Sequence, residues 1–282
     1  LRAAGLPVRV FSRSAPPPGF ADEWVRGDVR DGAALRQAAA GCRAVVHLVG
    51  IRRQRAGSAF EEVVVRGTEN AVQAARAAGC ERFVLVSALG VDLGLPTGYM
   101  RTKAAAEAAV RASGLAYTVL RPSFVVGPGG FVEEYGRLIL RAPVVPIPGD
   151  GSYPVQPVAR GDLALAVRRA LEVRAASGKT YDLAGPERVP FEGFVELIME
   201  ALGSRKRKVH LPAAMMLPIA AVLERLLPEP PATREELRML LAGNVGDPGP
   251  AVRDLGLRLT PLAEAVRAAV AGLPHLRRPP AA

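Results

Sequence analysis

Aromatic residues are scarce in this 282-residue sequence: Phe, Trp and Tyr make up 5% of it, with one tryptophan. So thin a supply, with arginine spread along the whole chain, gives no platform on which nucleic-acid bases could stack, and no nucleic-acid partner is expected. Cysteine is scarcer still. Cys42 and Cys80 form neither a disulfide framework nor a metal-ligand spacing, so no metal is expected. Two free thiols suit a reducing compartment, which makes the expected location cytoplasmic. Long apolar runs are missing too: the longest, Leu211 to Leu223, contains Pro212 and Pro218 and is too short to cross a bilayer. No secretory-signal pattern is visible.

Apolar residues are nevertheless 49% of the chain, enough for a sizeable core and against disorder. The 29 glycines and 25 prolines stand singly between apolar segments instead of in tracts. The formal charge of +10 comes from 37 Lys and Arg against 27 Asp and Glu, and only Lys103, Lys179, Lys206 and Lys208 are lysines. The densest basic clusters, Arg52-Arg53-Gln54-Arg55 and Arg205-Lys206-Arg207-Lys208, read as solvated loop charge, with a cofactor phosphate or an anionic membrane surface as the sharper alternatives.

Short β-branched runs alternate with Ala-rich helical stretches through the first part of the chain. Leu1 to Gly5 reads as the last turn of a helix. Strands are expected at 8–11, 24–25, 44–49, 82–87 and 117–121, and helices at 31–40, 58–78 and 98–113, with Asp31 capping the first. This strand-helix repeat predicts an α/β fold with a doubly wound parallel sheet and right-handed crossovers. Beyond Pro122 the pattern loosens into helices at 131–140, 162–174, 191–202, 212–227, 233–241 and 261–271, the last with Thr260 as its N-cap and Pro261 at its first position. Residues 1–123 therefore read as the sheet domain and 124–282 as a smaller, mostly helical substrate lobe, with the helix at 162–174 returning to the sheet.

Ser87, Tyr99 and Lys103 form the strongest chemical constellation. Tyr99 and Lys103 are four apart on a helix and share a face, where an ammonium would favour the phenolate and lower the phenol's pKa. Ser87, at the carboxyl end of a strand, could hydrogen-bond a substrate carbonyl while Tyr99 transfers the proton. Lys103 could also reach a cofactor ribose.

These residues, with Val86-Ser-Ala-Leu-Gly90, Tyr99-Met-Arg-Thr-Lys103-Ala-Ala-Ala-Glu107, Leu120-Arg-Pro-Ser123 and Val126-Gly127-Pro128, resemble the short-chain dehydrogenase/reductase superfamily in its extended or atypical, epimerase/dehydratase-like form. More narrowly, they look like bacterial relatives of the Rossmann-type accessory subunit of respiratory complex I, over nearly the whole chain. The resemblance implies a nicotinamide dinucleotide, NADP(H) in preference to NAD(H). It puts Arg13 at the adenosine 2′-phosphate, Asp28 and Val29 at the adenine, and Leu48, Val49 and Gly50 under the adenosine ribose. Tyr99, Lys103, Pro122 and Ser123 fall at the nicotinamide end. Within the same stretches His47 reads as a packed strand residue before a base, Gln156 lies where the site usually closes, and Asp162 reads as a helix N-cap.

Two departures stand out. Where the resemblance implies Asn-Val-x-Gly-Thr-x-Asn, this chain has Val64-Val-Arg-Gly67-Thr68-Glu-Asn70, so Val64 replaces an Asn that supports the lysine. No G-x-x-G-x-x-G or G-x-G-x-x-G occurs, and Gly127-Pro-Gly-Gly130 has the wrong spacing for a pyrophosphate cradle. The superfamily opens with a strand, a Gly-rich turn and most of a helix, so roughly 20 to 25 residues are expected upstream of Leu1. The expected function is an NAD(P)(H)-dependent oxidoreductase acting on a carbonyl or alcohol, a quinone-like substrate among them. The rivals are a non-catalytic NADPH-binding scaffold or assembly factor, and a dinucleotide-sensing regulator. The apolar 211–227 segment reads as a helix buried against Phe191, Phe194 and Leu197, or else, with the basic cluster before it, as a face that meets a quinone or the inner side of a membrane (residues 205–227).

Overall fold

A computed structural model describes residues 1–54, 57–227, 230 and 232–276, so Arg55 of the first basic cluster lies outside the described residues. In chain order the first elements are β1 (Arg9–Ser12), β2 (Glu23–Arg26), α1 (Gly32–Ala39), β3 (Ala44–His47), a π-helical turn (Glu61–Arg66), α2 (Gly67–Ala77), β4 (Arg82–Val86), α3 (Gly98–Arg111) and β5 (Tyr117–Pro122). There follow β6 (Val125–Val126), α4 (Gly130–Arg141), β7 (Val145–Pro148), β8 (Pro154–Val155), β9 (Val158–Ala159), α5 (Arg160–Glu172) and β10 (Lys179–Leu183). The chain continues through β11 (Val189–Pro190), α6 (Phe191–Ala201), β12 (Lys208–Leu211), α7 (Ala213–Leu226), α8 (Arg234–Leu241), α9 (Gly249–Leu255) and α10 (Leu262–Ala271). It divides into one compact unit of Leu1–Arg121 with Ala166–Tyr181 and another of Pro122–Leu165 with Asp182–Ala282.

In the first unit a four-stranded sheet runs in the order β10-β5-β4-β3, with β3, β4 and β5 mutually parallel, and β1 and β2 form a separate parallel pair. This is the Rossmann-like parallel arrangement expected from the strand-helix repeat. The central strands are apolar because both of their faces are covered: Phe83, Val84, Leu85, Val119 and Leu120 are all at most 1% exposed. On α1, Asp31 accepts from the Ala33 and Ala34 amides at 2.9 and 3.0 Å, the expected cap. Small side chains let the helices approach closely. A Cβ on Gly67 would stand 2.8 Å from the Val29 side chain, so only glycine fits there.

The helix expected over 58–78 begins with the π turn, where the Gly67 amide reaches the Glu62 and Val64 carbonyls. Thr68 compensates by donating to the Val64 carbonyl at 2.6 Å. Such a widened turn has no propensity signature of its own, and it often marks a functional segment.

The second unit packs α4, α6 and α10 around a core that includes Phe191, Phe194, Ile198, Val266 and Ile139, each wholly buried. Two predicted caps are corrected here. Pro261, not Thr260, occupies the N-cap of α10, and Asp162 sits inside the first turn of α5. The physical reason is a long-range pairing: Asp162 accepts from the Thr260 amide at 2.8 Å and from its hydroxyl at 2.9 Å. Glu187 caps α10 instead, accepting from the Leu262 amide at 2.8 Å. Gln156 is likewise committed within this unit, donating to the Gly185 carbonyl at 2.7 Å and accepting from the Gly246 amide and Arg188. Helix α9 was not anticipated.

The expectation that α7 is buried against Phe191 and Phe194 is also corrected. Ala220 is its one buried residue among those described, whereas Met215, Ile219, Val222 and Leu226 are all more than half exposed. No helix among the described residues is long and apolar enough to cross a membrane.

Candidate active site

The residues that converge in the first unit do so on α3 and the carboxyl end of β4. Thr97 caps α3 by accepting from the Met100 amide at 3.2 Å. The four-residue spacing then puts Tyr99, Lys103 and Glu107 on one face. That face is turned inward: Lys103 is 4% exposed and Glu107 not at all. A buried charge has to find partners, and each one does. The Lys103 Nζ donates to the Val86 carbonyl at 3.2 Å. Desolvation pulls its pKa down to about 8, against the opposing pull of the Glu107 carboxylate.

Glu107 in turn accepts from Arg121 twice, at Nε and at the guanidinium end, both at 2.9 Å, and from Arg111 at 2.6 Å. Burial pushes its carboxyl up, but the hydrogen bonds from Arg121 and Arg111, the Arg121 charge and the nearby Ser87 hydroxyl outweigh that and hold it below the usual value. Arg121, on β5, completes the network by donating to Asp92 at 2.7 Å. Ser87 immediately follows β4. Its hydroxyl lies near enough to Glu107 to favour the carboxylate, yet its buried oxygen meets no atom at hydrogen-bonding geometry. An orphaned buried hydroxyl costs roughly 1–3 kcal/mol, a deficit that a ligand oxygen would relieve.

Tyr99 departs from expectation. Burial raises its phenol pKa, and Arg52 opposes the shift only in part. The lysine does not produce the predicted lowering because desolvation weakens its own cationic form and its ammonium is turned to Val86. Tyr99 packs edge-on against Phe60, ring centroids 6.1 Å apart.

Gly50, after β3, lies against the lysine: a Cβ added there would stand 3.0 Å from Lys103 Nζ. Leu48 beside it is 64% exposed, a large apolar side chain left open at the end of a parallel strand. Val49 is half-buried. His47 is buried, shares a 3.1 Å hydrogen bond with Thr68, and is pushed down to about 3 by desolvation and by the Lys103 charge, so it is neutral and packed. At the far end of the sheet domain Arg13 is exposed just past β1. Its charge helps hold Asp28 down at about 2, although the main cause is the hydrogen bond from Arg30, whose Nε and guanidinium end donate at 2.9 and 2.8 Å. Asn70 donates to the Val29 carbonyl at 2.9 Å. Pro122 and Ser123 belong to the second unit, where the Ser123 hydroxyl is committed to Asn244.

The structure thus brings Lys103 together with Gly50, Val86 and Glu107, and Arg13 together with Asp28. Sequence reasoning missed the Glu107–Arg121–Asp92 network, although an arginine inside a buried strand and an acid one turn beyond Lys103 were signals for it. It also missed an open cavity of about 850 Å³ in the second unit, lined by Asp150, Tyr153, His210 and Leu241 among others.

The chain is similar to known proteins. A family model described as NAD(P)H-binding matches residues 1–138. The 2-alkyl-3-oxoalkanoate reductase of Stenotrophomonas maltophilia is 32% identical over 89% of this chain and 87% of its own length. This chain belongs to the NAD(P)H-binding extended short-chain dehydrogenase/reductase family. Within that family, the mitochondrial NADH dehydrogenase [ubiquinone] 1 alpha subcomplex subunit 9 of Arabidopsis thaliana is 30% identical over 69% of this chain, which spans about half of that subunit (49%). The fold matches UDP-glucuronic acid 4-epimerase from Bacillus cereus with a TM-score of 0.75, over 98% of this chain and 93% of the epimerase, at 16% identity.

The first unit fits the family's dinucleotide where the side-chain-free surface of Gly50 lies against the Lys103 ammonium, and the orphaned Ser87 hydroxyl leaves a donor for the substrate. The sequence offers no glycine-rich turn, so no residue is assigned to the pyrophosphate.

Proposed function

We propose that this chain is an NAD(P)(H)-dependent oxidoreductase that reduces a carbonyl, with Ser87, Tyr99 and Lys103 as its catalytic residues. The observation that carries the proposal is the buried Lys103 ammonium, hydrogen-bonded to the Val86 carbonyl alone among the described residues and lying against Gly50. An ammonium has three donors, so this one keeps capacity for a ribose hydroxyl. The dinucleotide, when bound, supplies the hydride. Every other role falls to the chain. Burial raises the Tyr99 phenol pKa, and in carbonyl reduction this phenol would be the proton donor to the carbonyl oxygen. Ser87 donates its free hydroxyl to the same oxygen and polarises it.

Toward the adenosine end, Leu48, Val49 and Gly50 would lie under the ribose, and Asp28 and Val29 would meet the adenine. The exposed Arg13 supports NADP(H) over NAD(H), because a guanidinium without a hydrogen-bonded partner among the described residues suits a 2′-phosphate. The Stenotrophomonas reductase and the Arabidopsis subunit suggest 3-oxo acids and quinones as the ketones to try first.

The test follows NADPH and NADH consumption against a panel of 3-oxoalkanoates, aldehydes and quinones. Tyr99→Phe should cost at least about a hundredfold in turnover and leave dinucleotide affinity unchanged. Turnover that survives this substitution removes Tyr99 from the reaction. A second reading, a non-catalytic NAD(P)H-binding scaffold, is favoured by Val64, which is wholly buried where the resemblance implies a supporting Asn. Dinucleotide binding with no consumption of any panel member would select it.

A further inference from the structure

We infer that α7 and the segment leading into it dock this protein on an anionic lipid surface, an inference independent of the catalytic proposal. Met215, Ile219, Val222 and Leu226 are 59, 54, 54 and 71% exposed. Their spacing of four, three and four residues puts them on a single stripe along the helix. A 14-residue helix is about 21 Å long, too short to span a bilayer but long enough to lie in its surface with one face in the headgroup-acyl boundary.

The charges beside the stripe decide what covers it. In the basic cluster the two lysines are spent inside the unit. Lys206 donates to the Leu140 and Ala142 carbonyls, both at 2.7 Å, and Lys208 pairs with Glu192 and Glu196. The two arginines alternate with them in sequence. Arg205 and Arg207 are exposed and make no ion pair among the described residues. Arg225, three residues on from Val222, is exposed and unpaired in the same sense. An exposed apolar stripe on a helix whose last turn carries Arg225, preceded in sequence by Arg205 and Arg207, all without an ion pair among the described residues, is complementary to phosphate headgroups over acyl chains. A second copy of this chain fits it poorly, because a two-fold contact would set these arginines against their own kind on a molecule of formal charge +10.

The test is sedimentation of the full chain with phosphatidylcholine vesicles, with and without phosphatidylglycerol, at low and high salt. The protein should partition to the phosphatidylglycerol vesicles and leave them at high salt. Ile219→Glu with Val222→Glu should weaken partitioning more than about tenfold. Arg205→Gln with Arg207→Gln should weaken it by about fivefold per arginine. NADPH affinity and far-ultraviolet circular dichroism should stay unchanged in both variants, which separates loss of docking from loss of fold. Absence of binding to the charged vesicles, or binding by either double variant at wild-type strength, overturns the inference. So does a dimer in light scattering that Ile219→Glu dissociates, which would make the occupant a second copy.

Discussion

Glu107→Gln isolates the buried network behind the candidate site. The glutamate is wholly buried and its carboxylate accepts three hydrogen bonds from two guanidinium groups. Glutamine has the same shape, so no cavity opens. What changes is that one oxygen becomes an NH₂ donor facing donors, and Arg121, with its side chain 11% exposed, keeps only the solvent-facing Asp92 as a counter-charge. Breaking a buried pair from one side costs about 3–5 kcal/mol, against about 1 kcal/mol or less for an exposed pair. Trp24, the single tryptophan, lies in the first unit, so its emission during urea unfolding reports on the unit that holds the network.

The pH dependence supplies a second check. The folded-state pKa of Glu107 is depressed below its ordinary 4.5, so its contribution is fully present above that value and is lost as pH falls below it. The gap between wild type and Glu107→Gln should therefore be constant near neutrality and narrow below about pH 4.5. The double variant Glu107→Leu with Arg121→Met should recover most of the loss, because an apolar pair leaves no buried charge unpaired, and the Arg111 and Asp92 side chains it releases are 40 and 64% exposed. A glutamine variant within about 1 kcal/mol of wild type at pH 7, or a gap that does not narrow in acid, would refute the reasoning.

Lys103→Met should raise the stability of the first unit at pH 7 by up to about 3 kcal/mol, less the value of the Val86 hydrogen bond, because the folded state holds the proton at about 8 and not at 10.5. Between those values the unfolded chain binds more protons, so wild-type stability rises with pH and the advantage of methionine fades toward pH 10; urea midpoints that show a constant gap would count against it. Arg13→Ala should weaken NADPH about tenfold in a binding titration and leave NADH unchanged; an equal loss for both would place the guanidinium away from the 2′-phosphate. Asp162→Ala should cost about 1–3 kcal/mol by strand- and helix-sensitive circular dichroism, since the Thr260 amide and hydroxyl lose their acceptor together. Retained stability would return Asp162 to the role of an exchangeable turn residue.

The periodic features were legible. β3, β4 and β5 announced themselves as apolar β-branched runs, and α3 was given by its alanines and Gly114. Its Tyr99 and Lys103 could be put on one face by counting. Counting once more would have reached Glu107. The burial of that face was the missing step: a stripe of Tyr, Lys and Glu between alanines looks like a wet surface, and only Arg121 within an apolar strand betrayed the buried acid that had to meet it. Helix α9 opens with Gly249 and Pro250, residues that give no helical periodicity, although proline is at home in a first turn.

Asp162 and Thr260 show a different limit. Each is an excellent local cap, and each was read as one. Capping preference is a property of a few consecutive residues, whereas these two are 98 apart and satisfy each other, leaving Glu187 to hold the start of α10. The same limit governs α7. An apolar circumference demands that something cover it, but the sequence carries that demand identically whether the cover is the protein's own core or a surface outside it. What separates the two is where the neighbouring charges go. Lys206 and Lys208 turn inward to carbonyls and carboxylates while Arg205 and Arg207 stay in solvent without an ion pair among the described residues, so the run that looked like one basic cluster is divided by residue type: lysines that fasten the segment to its unit, and exposed arginines on which the docking proposal rests.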